Sequence, residues 1–320
     1  MELPVEKIMS TVLITGASGF VGANLVRNLI NTKDQIHILI RKQSNLWRLN
    51  GVISKCNVHF VDISKIEEVE NVISEIKPEI VYHCATYGVY PNQKDVHKIE
   101  QTNLIGTKNL VSSLDKNTYL KRLVNLGSSF EYGSKLNLIK ETDSTQGLDY
   151  YSKSKILQTD LIERFSHEKN LPAVTLRIFN AYGSFEESGR LIPDIMVSIV
   201  KKNPIKILSR TAVRDFIYIN DVIAALKKIS VEPDINGEIF NVGSGHASSV
   251  EDIVNMVCEM TNTDSEVIWS DKNNRKYDKA GAKGYADIQK IEKIGWKPKT
   301  SLKDGLWKTY DWFTKNIEYY

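Results

Sequence analysis

Apolar and polar positions alternate along this chain in two rhythms. Up to about residue 180, short unbroken apolar runs are separated by longer stretches of helical period. TVLIT (Thr11–Thr15), Ile36–Ile40, Val58–Val61, Ile80–Cys84, Leu123–Ser128 and Val174–Phe179 read as strands. Helical patterns run from a glycine turn to about Asn31, over Lys65–Ile76 (stopping before Pro78), over about Gln93–Leu114 and over Tyr150–Glu168. Strands without polar alternation, separated by helices, predict a parallel sheet covered on both faces. After Asn180 the rhythm changes. Leu191–Lys202 reads as a helix, and Arg214–Ile229 as a short strand running into a helix capped by Asn220 or Asp221. Glu238–Val242 reads as a strand, and Val250–Met260 and Leu302–Lys315 as helices. There is no internal repeat and no long linker.

Composition narrows the picture only modestly. A chain of 320 residues has room for two domains at roughly 150 residues each. With 25% charged and 42% hydrophobic residues it is neither collagen-like, low-complexity nor wholly disordered. The formal charge of +3 gives no general electrostatic case for a nucleic-acid or membrane partner. Three cysteines (Cys56, Cys84, Cys258) form no disulfide framework and no zinc-type pair, so no metal is expected. The start lacks an apolar signal core, and no apolar run approaches the ~20 residues of a spanning helix. A cytoplasmic location is the expectation, with residues 1–8 a loose leader or an alternative start.

The strongest local signal is TGASGFVG, with Gly16, Gly19 and Gly22. Three glycines at this spacing are expected by chance only about 0.06 times in such a chain. The motif follows a strand and opens a helix. Glycines there permit a tight turn and let the backbone approach a pyrophosphate at the helix N-terminus. Gly16, Ser18, Gly19, Phe20, Val21 and Gly22 are therefore expected to line a dinucleotide site. The second strand ends Ile40-Arg41-Lys42 without the acid that accepts the ribose hydroxyls of NAD. A carboxylate repels a 2′-phosphate, whereas a guanidinium grips it with two hydrogen bonds. NADP is thus favoured, with NAD possible and Arg41 the discriminator.

Tyr151 and Lys155 form a YxxxK pair, a spacing that chance alone supplies about once or twice in a chain with this many tyrosines and lysines. Tyr90 and Lys94 make a second such pair, read as a decoy because it lies at a loop proline and precedes the expected helix. Tyr151 and Lys155 instead share one helix face at i and i+4, and they follow a strand ending in Ser128. The chemistry of ketone reduction needs such a set. A phenol with pKa ~10 must deliver a proton to oxygen, a nearby ammonium lowers that pKa and could hold the ribose, and Ser128 orients the ketone.

On these motifs the chain resembles the extended short-chain dehydrogenase/reductases of the NAD-dependent epimerase/dehydratase family, which act on nucleotide sugars. The shared pieces are TGASGFVG, VDI, HCAT, TNLIGTKNL, GSSFEYG, YSKSK, RIFNAYG, RDFIYINDV, FNVGSG and IGWKPKTSLKDGL, in that order. The resemblance implies that Asp62 and Ile63 meet the adenine end of the cofactor and that Ala85 and Asn103 join its site. It also implies that Tyr87, Ser129, Asn180, Leu191, Arg214 and Arg275 serve the sugar nucleotide, with Arg214 and Arg275 on the diphosphate. Arg275 lies in a stretch that departs from the family's pattern.

Two departures narrow the reaction. Family 4,6-dehydratases carry an Asp-Glu pair directly after the catalytic Ser or Thr, and here Ser129 and Phe130 stand there. Arg41 favours an exchangeable NADPH over a retained NAD. The expectation is therefore NADPH-dependent reduction of a nucleotide-linked 4-keto-6-deoxyhexose. A nucleotide-sugar 4-epimerase is the alternative, and a non-catalytic dinucleotide-binding protein a further one. The expected fold is a Rossmann-type doubly wound parallel sheet (residues 1–180 plus about 216–245). A smaller mixed α/β substrate-binding domain (about 181–215 plus 246–320) is interleaved with it. By resemblance the chain is expected to form a homodimer through the helices near Gln93–Leu114 and Tyr150–Glu168.

Overall fold

A computed structural model describes residues 9–115, 117–135, 137–210, 212–270 and 284–320. Seven strands form one sheet: β1 (Thr11–Thr15), β2 (Gln35–Ile40), β3 (Asn57–Phe60), β4 (Ile80–His83), β5 (Arg122–Ser128), β6 (Ala173–Ile178) and β7 (Ile239–Val242). Their order is β7-β6-β5-β4-β1-β2-β3, and every pair is parallel. Val12 and Ile14 of β1 enter one apolar core while Leu13 enters the other. That is why the strand reads as a continuous apolar run: successive side chains point to opposite faces, and both faces are covered.

On one face α1 (Phe20–Leu29) packs against α7 (Ile219–Val231), and on the other α2 (Ile66–Ile76) packs against α4 (Gly106–Leu114), with α5 (Tyr150–Lys169) along β5 and β6. Strand order reverses between β1 and β4, so the crevice of this Rossmann-type sheet opens beside the glycine turn. Gly16 sits at φ 66°, and a Cβ there would lie 2.5 Å from the Ala85 nitrogen. A Cβ on Gly22 would lie 2.3 Å from the Gly16 carbonyl oxygen, so the turn cannot close with any larger residue.

The chain leaves the sheet after β6 and returns to it at β7. Between and beyond lie α6 (Leu191–Val200), α8 (Val250–Thr261) and α9 (Leu302–Lys315). Short strand pairs accompany them. Asn180–Tyr182 runs parallel to Phe216–Tyr218, Ile205–Ile207 parallel to Val267–Trp269, and Val213–Arg214 antiparallel to Ser248–Ser249.

Three expectations need correction. The helix expected over Gln93–Leu114 starts only at Val96, capped by the Asp95 side chain, and passes through α3 (Val96–Ile99) and a π-helical segment, Glu100–Ile105, before α4. Gln93 is unavailable to it because its side-chain oxygen accepts the N–H groups of Gly88 and Tyr90. Helix α7 is preceded by Tyr218 with no side-chain cap, not by Asn220 or Asp221. Asp221 instead accepts the N–H groups of Lys299 and Thr300 and ties that distant segment to the first turn. The third strand begins one residue early, at Asn57.

Candidate active site

Two cavities meet at the carboxyl edge of the sheet. The first, of about 420 Å³, is lined by Gly16, Ser18, Gly19, Phe20, Val21 and Gly22 of the turn, by Arg41, Asp62, Ile63 and Ala85, and by Ser128, Ser129, Tyr151 and Lys155. Gly19 precedes α1 as its N-cap, so the helix's unpaired N–H groups start at this cavity. Arg41 is exposed beside Ser44 and Asn45, which line the same cavity. Its backbone N–H is held by the Ser44 hydroxyl at 3.1 Å. Asp62 accepts both the N–H and the hydroxyl of Ser64, at 3.0 and 2.8 Å, which holds its carboxylate in the loop just after β3.

Ser128 ends β5, Tyr151 and Lys155 lie on the first turns of α5, and the Ser128 hydroxyl is within hydrogen-bonding reach of the Tyr151 phenol. Burial pushes that phenol up to about 12, while Ser128 and the charge of Arg190 pull it down. The Lys155 ammonium is instead engaged by the Leu126 carbonyl and the Gln158 side-chain oxygen, and burial lowers it to about 8. Gln158 in turn donates to Thr107 at 2.8 Å, and Thr107 is bonded to His83, which meets Thr15 at 2.7 Å. A buried polar chain therefore runs from the strand before the glycine turn to the lysine. Burial drops His83 to about 3, so it is neutral at any working pH.

Ser128 is positioned by a buried carboxylate. Glu131, fully buried, accepts the Ser128 N–H at 2.7 Å through one oxygen. Through the other it accepts Arg177 Nε at 2.8 Å and the Thr159 hydroxyl at 3.0 Å. Burial pushes the Glu131 carboxyl up, against the pull of Arg177. Removing one partner of a buried ion pair strands the other charge, so Glu131→Ala is expected to cost about 3–5 kcal/mol of stability. Urea unfolding measures this, and a loss below about 1 kcal/mol would contradict the ion pair's role.

The second cavity, of about 540 Å³, is lined by Asn180, Leu191 and Arg214 together with Phe130, Tyr151, Glu186 and Arg190. Asn180 donates to the Asp215 carbonyl at 3.0 Å, and Arg214 to the Val213 carbonyl at 2.7 Å. Of the other residues expected on the sugar, Ser129 lines only the cofactor-side cavity, Tyr87 lines neither, and Arg275 lies outside the described residues. Asn103, expected on the cofactor, also lines neither cavity. It is fully buried, and its amide joins both backbone groups of Tyr87 to Ser154, so it shapes the loop behind the site. Tyr90 and Lys94 both line the second cavity but precede the helix, so they share no helix face.

Several residues at or behind these walls escaped the sequence reading. Glu131 and Arg177 are 46 positions apart, and only the fold joins them. Asp215 accepts N–H groups from Ser244, Gly245 and Ala286, bracing the loop after β7. An acid inside the apolar run RDFIYI was its one visible signal. Among the described residues, no cluster of metal-ligating side chains occurs and no helix is long and apolar enough to cross a membrane.

The model of the NAD-dependent epimerase/dehydratase family matches residues 12–243, which takes in the turn, the Ser128–Tyr151–Lys155 set and β7. The chain belongs to that family. The epimerase/dehydratase relatives are distant. A dTDP-glucose 4,6-dehydratase of Haemophilus influenzae is 26% identical over 96% of this chain and 99% of its own. A trifunctional UDP-glucose 4,6-dehydratase/UDP-4-keto-6-deoxy-D-glucose 3,5-epimerase/UDP-4-keto-L-rhamnose-reductase of Arabidopsis thaliana is 26% identical over 97% of this chain, which spans about half (48%) of that protein's length. In structure, the UDP-glucose 4-epimerase of Thermotoga maritima, solved with UDP-glucose, matches with a TM-score of 0.87 at 25% identity, over 96% of this chain and 99% of its own.

Proposed function

We propose that this family member is an oxidoreductase of nucleotide-activated sugars that reduces a nucleotide-linked 4-keto-6-deoxyhexose with NADPH. NADPH supplies the hydride to C4, and Tyr151 gives its proton to the C4 oxygen as the carbonyl becomes an alcohol. Ser128 holds that oxygen, and Lys155 would hold the cofactor's ribose. The turn Gly16–Gly22 takes the pyrophosphate, Arg41 the 2′-phosphate, and Asp62 with Ile63 the adenine end. Asn180, Leu191 and Arg214 take the sugar nucleotide, with Arg214 on its diphosphate. In this reading the sheet with β7 is the cofactor domain, and the elements after β6 and after β7 form the sugar-nucleotide domain.

The observation that carries the proposal is an intact Ser128–Tyr151–Lys155 set with Phe130 where an acid would have to stand for dehydration. A phenyl ring cannot move a proton. Phe130 meets Tyr151 edge-on, with ring centroids 6.3 Å apart. The next residue, Glu131, has both oxygens occupied, one by the Ser128 N–H and the other by Arg177 and the Thr159 hydroxyl. An epimerase is the second reading, since the same three residues serve oxidation and return. Incubation with UDP-glucose and UDP-galactose separates the two. Interconversion without net cofactor change supports the epimerase, and inertness toward both supports the reductase.

A homodimer is part of the proposal. Tyr150 and Leu157 are 64% and 51% exposed, two helical turns apart on α5, and Val96 is 41% exposed on α3. Leu157→Glu is expected to turn a dimer into a monomer in light scattering. A wild-type chain that is already monomeric at micromolar concentration would contradict the assignment of this face.

A further inference from the structure

Glu186 forms part of the wall common to both cavities, together with Tyr151, Tyr90 and Arg190. Its side chain is 5% exposed, yet Oε2 has no hydrogen-bond partner. Arg190 Nε lies 3.7 Å from Oε1, too far for a good hydrogen bond. A buried polar atom left unpaired is costly, and native folds rarely tolerate one without a use.

The backbone that delivers this carboxyl is itself constrained. The preceding residue, Phe185, stands at φ 70°, a left-handed conformation that bulky side chains avoid. It is held there from several sides. Its ring lies 4.7 Å from Trp312 and 4.3 Å from the Arg27 guanidinium, and its carbonyl accepts Arg48 Nε at 2.7 Å. The Glu186 carbonyl accepts the Tyr320 hydroxyl at 2.5 Å. Strain sustained by surrounding contacts, next to an unpaired buried group, is a pattern of functional sites.

We propose that Glu186 is a ligand-binding carboxyl that takes an uncharged hydrogen-bond donor at the seam between the two cavities, either the carboxamide of a nicotinamide or a ring hydroxyl of the sugar. The proposal rests on the reading that these cavities hold a dinucleotide and a sugar nucleotide. Burial pushes the Glu186 carboxyl up to about 8, so near neutrality it can also donate, which suits an amide or hydroxyl that both gives and accepts. An anionic group is a poor match for it. The phosphates of both ligands are accordingly directed to Arg41 and Arg214, away from the seam.

Glu186→Met and Glu186→Gln test the proposal. Three quantities are read: the melting temperature without ligand, the NADPH dissociation constant by fluorescence without sugar, and the KM for a 4-keto sugar nucleotide. Methionine fills the site without an unpaired oxygen, so the ligand-free protein should melt higher, while one of the two affinities falls about tenfold. The affinity that falls identifies the nicotinamide or the sugar as the partner. Glutamine keeps a donor and an acceptor and should stay within about threefold of wild type. A lower melting temperature for the methionine variant, or both affinities within about twofold of wild type, would overturn the proposal. Should no 4-keto sugar be reduced at all, the NADPH titration and a parallel titration with UDP-glucose still decide the role of Glu186 independently of the reaction.

Discussion

Tyr151→Phe is expected to lower kcat for NADPH-dependent reduction by about 10²–10⁴-fold, the range contributed by a positioned general acid. NADPH affinity should change little, because the turn and Arg41 are untouched. The reasoning begins with the phenol's surroundings. Burial holds Tyr151 near 12, so at pH 7 the hydroxyl carries the proton that reduction needs. Steady-state rates and a fluorescence titration check both halves, and a rate within tenfold of wild type would contradict the role. The sign of the pH dependence follows as well. Lys155, lowered to about 8, loses its charge as pH rises through that value, so reduction should decline above about pH 8. Oxidation of the product alcohol needs the phenolate and should instead gain with pH.

Arg41→Ala is expected to raise the KM for NADPH by about 10–100-fold, the equivalent of about 1.5–3 kcal/mol for hydrogen bonds to a charged group. The KM for NADH should hardly move, since NADH carries no 2′-phosphate. Arg41 is exposed at the end of β2 with Ser44 and Asn45 on the same cavity wall. Its contribution should therefore shrink at high salt, as expected for a partly solvated ion pair. Paired titrations of wild type and variant with NADPH and NADH, at low and high salt, measure this. Equal losses for the two cofactors would show that Arg41 does not read the phosphate.

Much of the sheet was legible because its inner strands are buried on both faces and read as largely apolar runs, as in TVLIT between two cores, whereas the edge strand β3 is half-exposed. The glycine turn was legible because its geometry admits nothing larger at Gly16 and Gly22. Ser128, Tyr151 and Lys155 could be picked out by their order relative to strand and helix. What escaped were residues whose partners are distant in sequence. Glu131 and Arg177, Asp215 with the loop at Ser244, and Gln158 between Lys155 and Thr107 have no local signature. Helix starts also misled. Gln93 has good helix propensity, yet its side chain is drawn into the loop at Gly88–Tyr90, a local loop contact overriding a weak helical preference.

The most direct test of the central claim follows the hydride. NADPH deuterated on its pro-S face is incubated with the chain and a panel of CDP-, dTDP-, GDP- and UDP-linked 4-keto-6-deoxy sugars, and the products are read by mass spectrometry and NMR. The account predicts one deuterium at C4 of one sugar for every NADP⁺ formed. Consumption of no NADPH with any of the panel, or interconversion of C4 epimers without label, would contradict it.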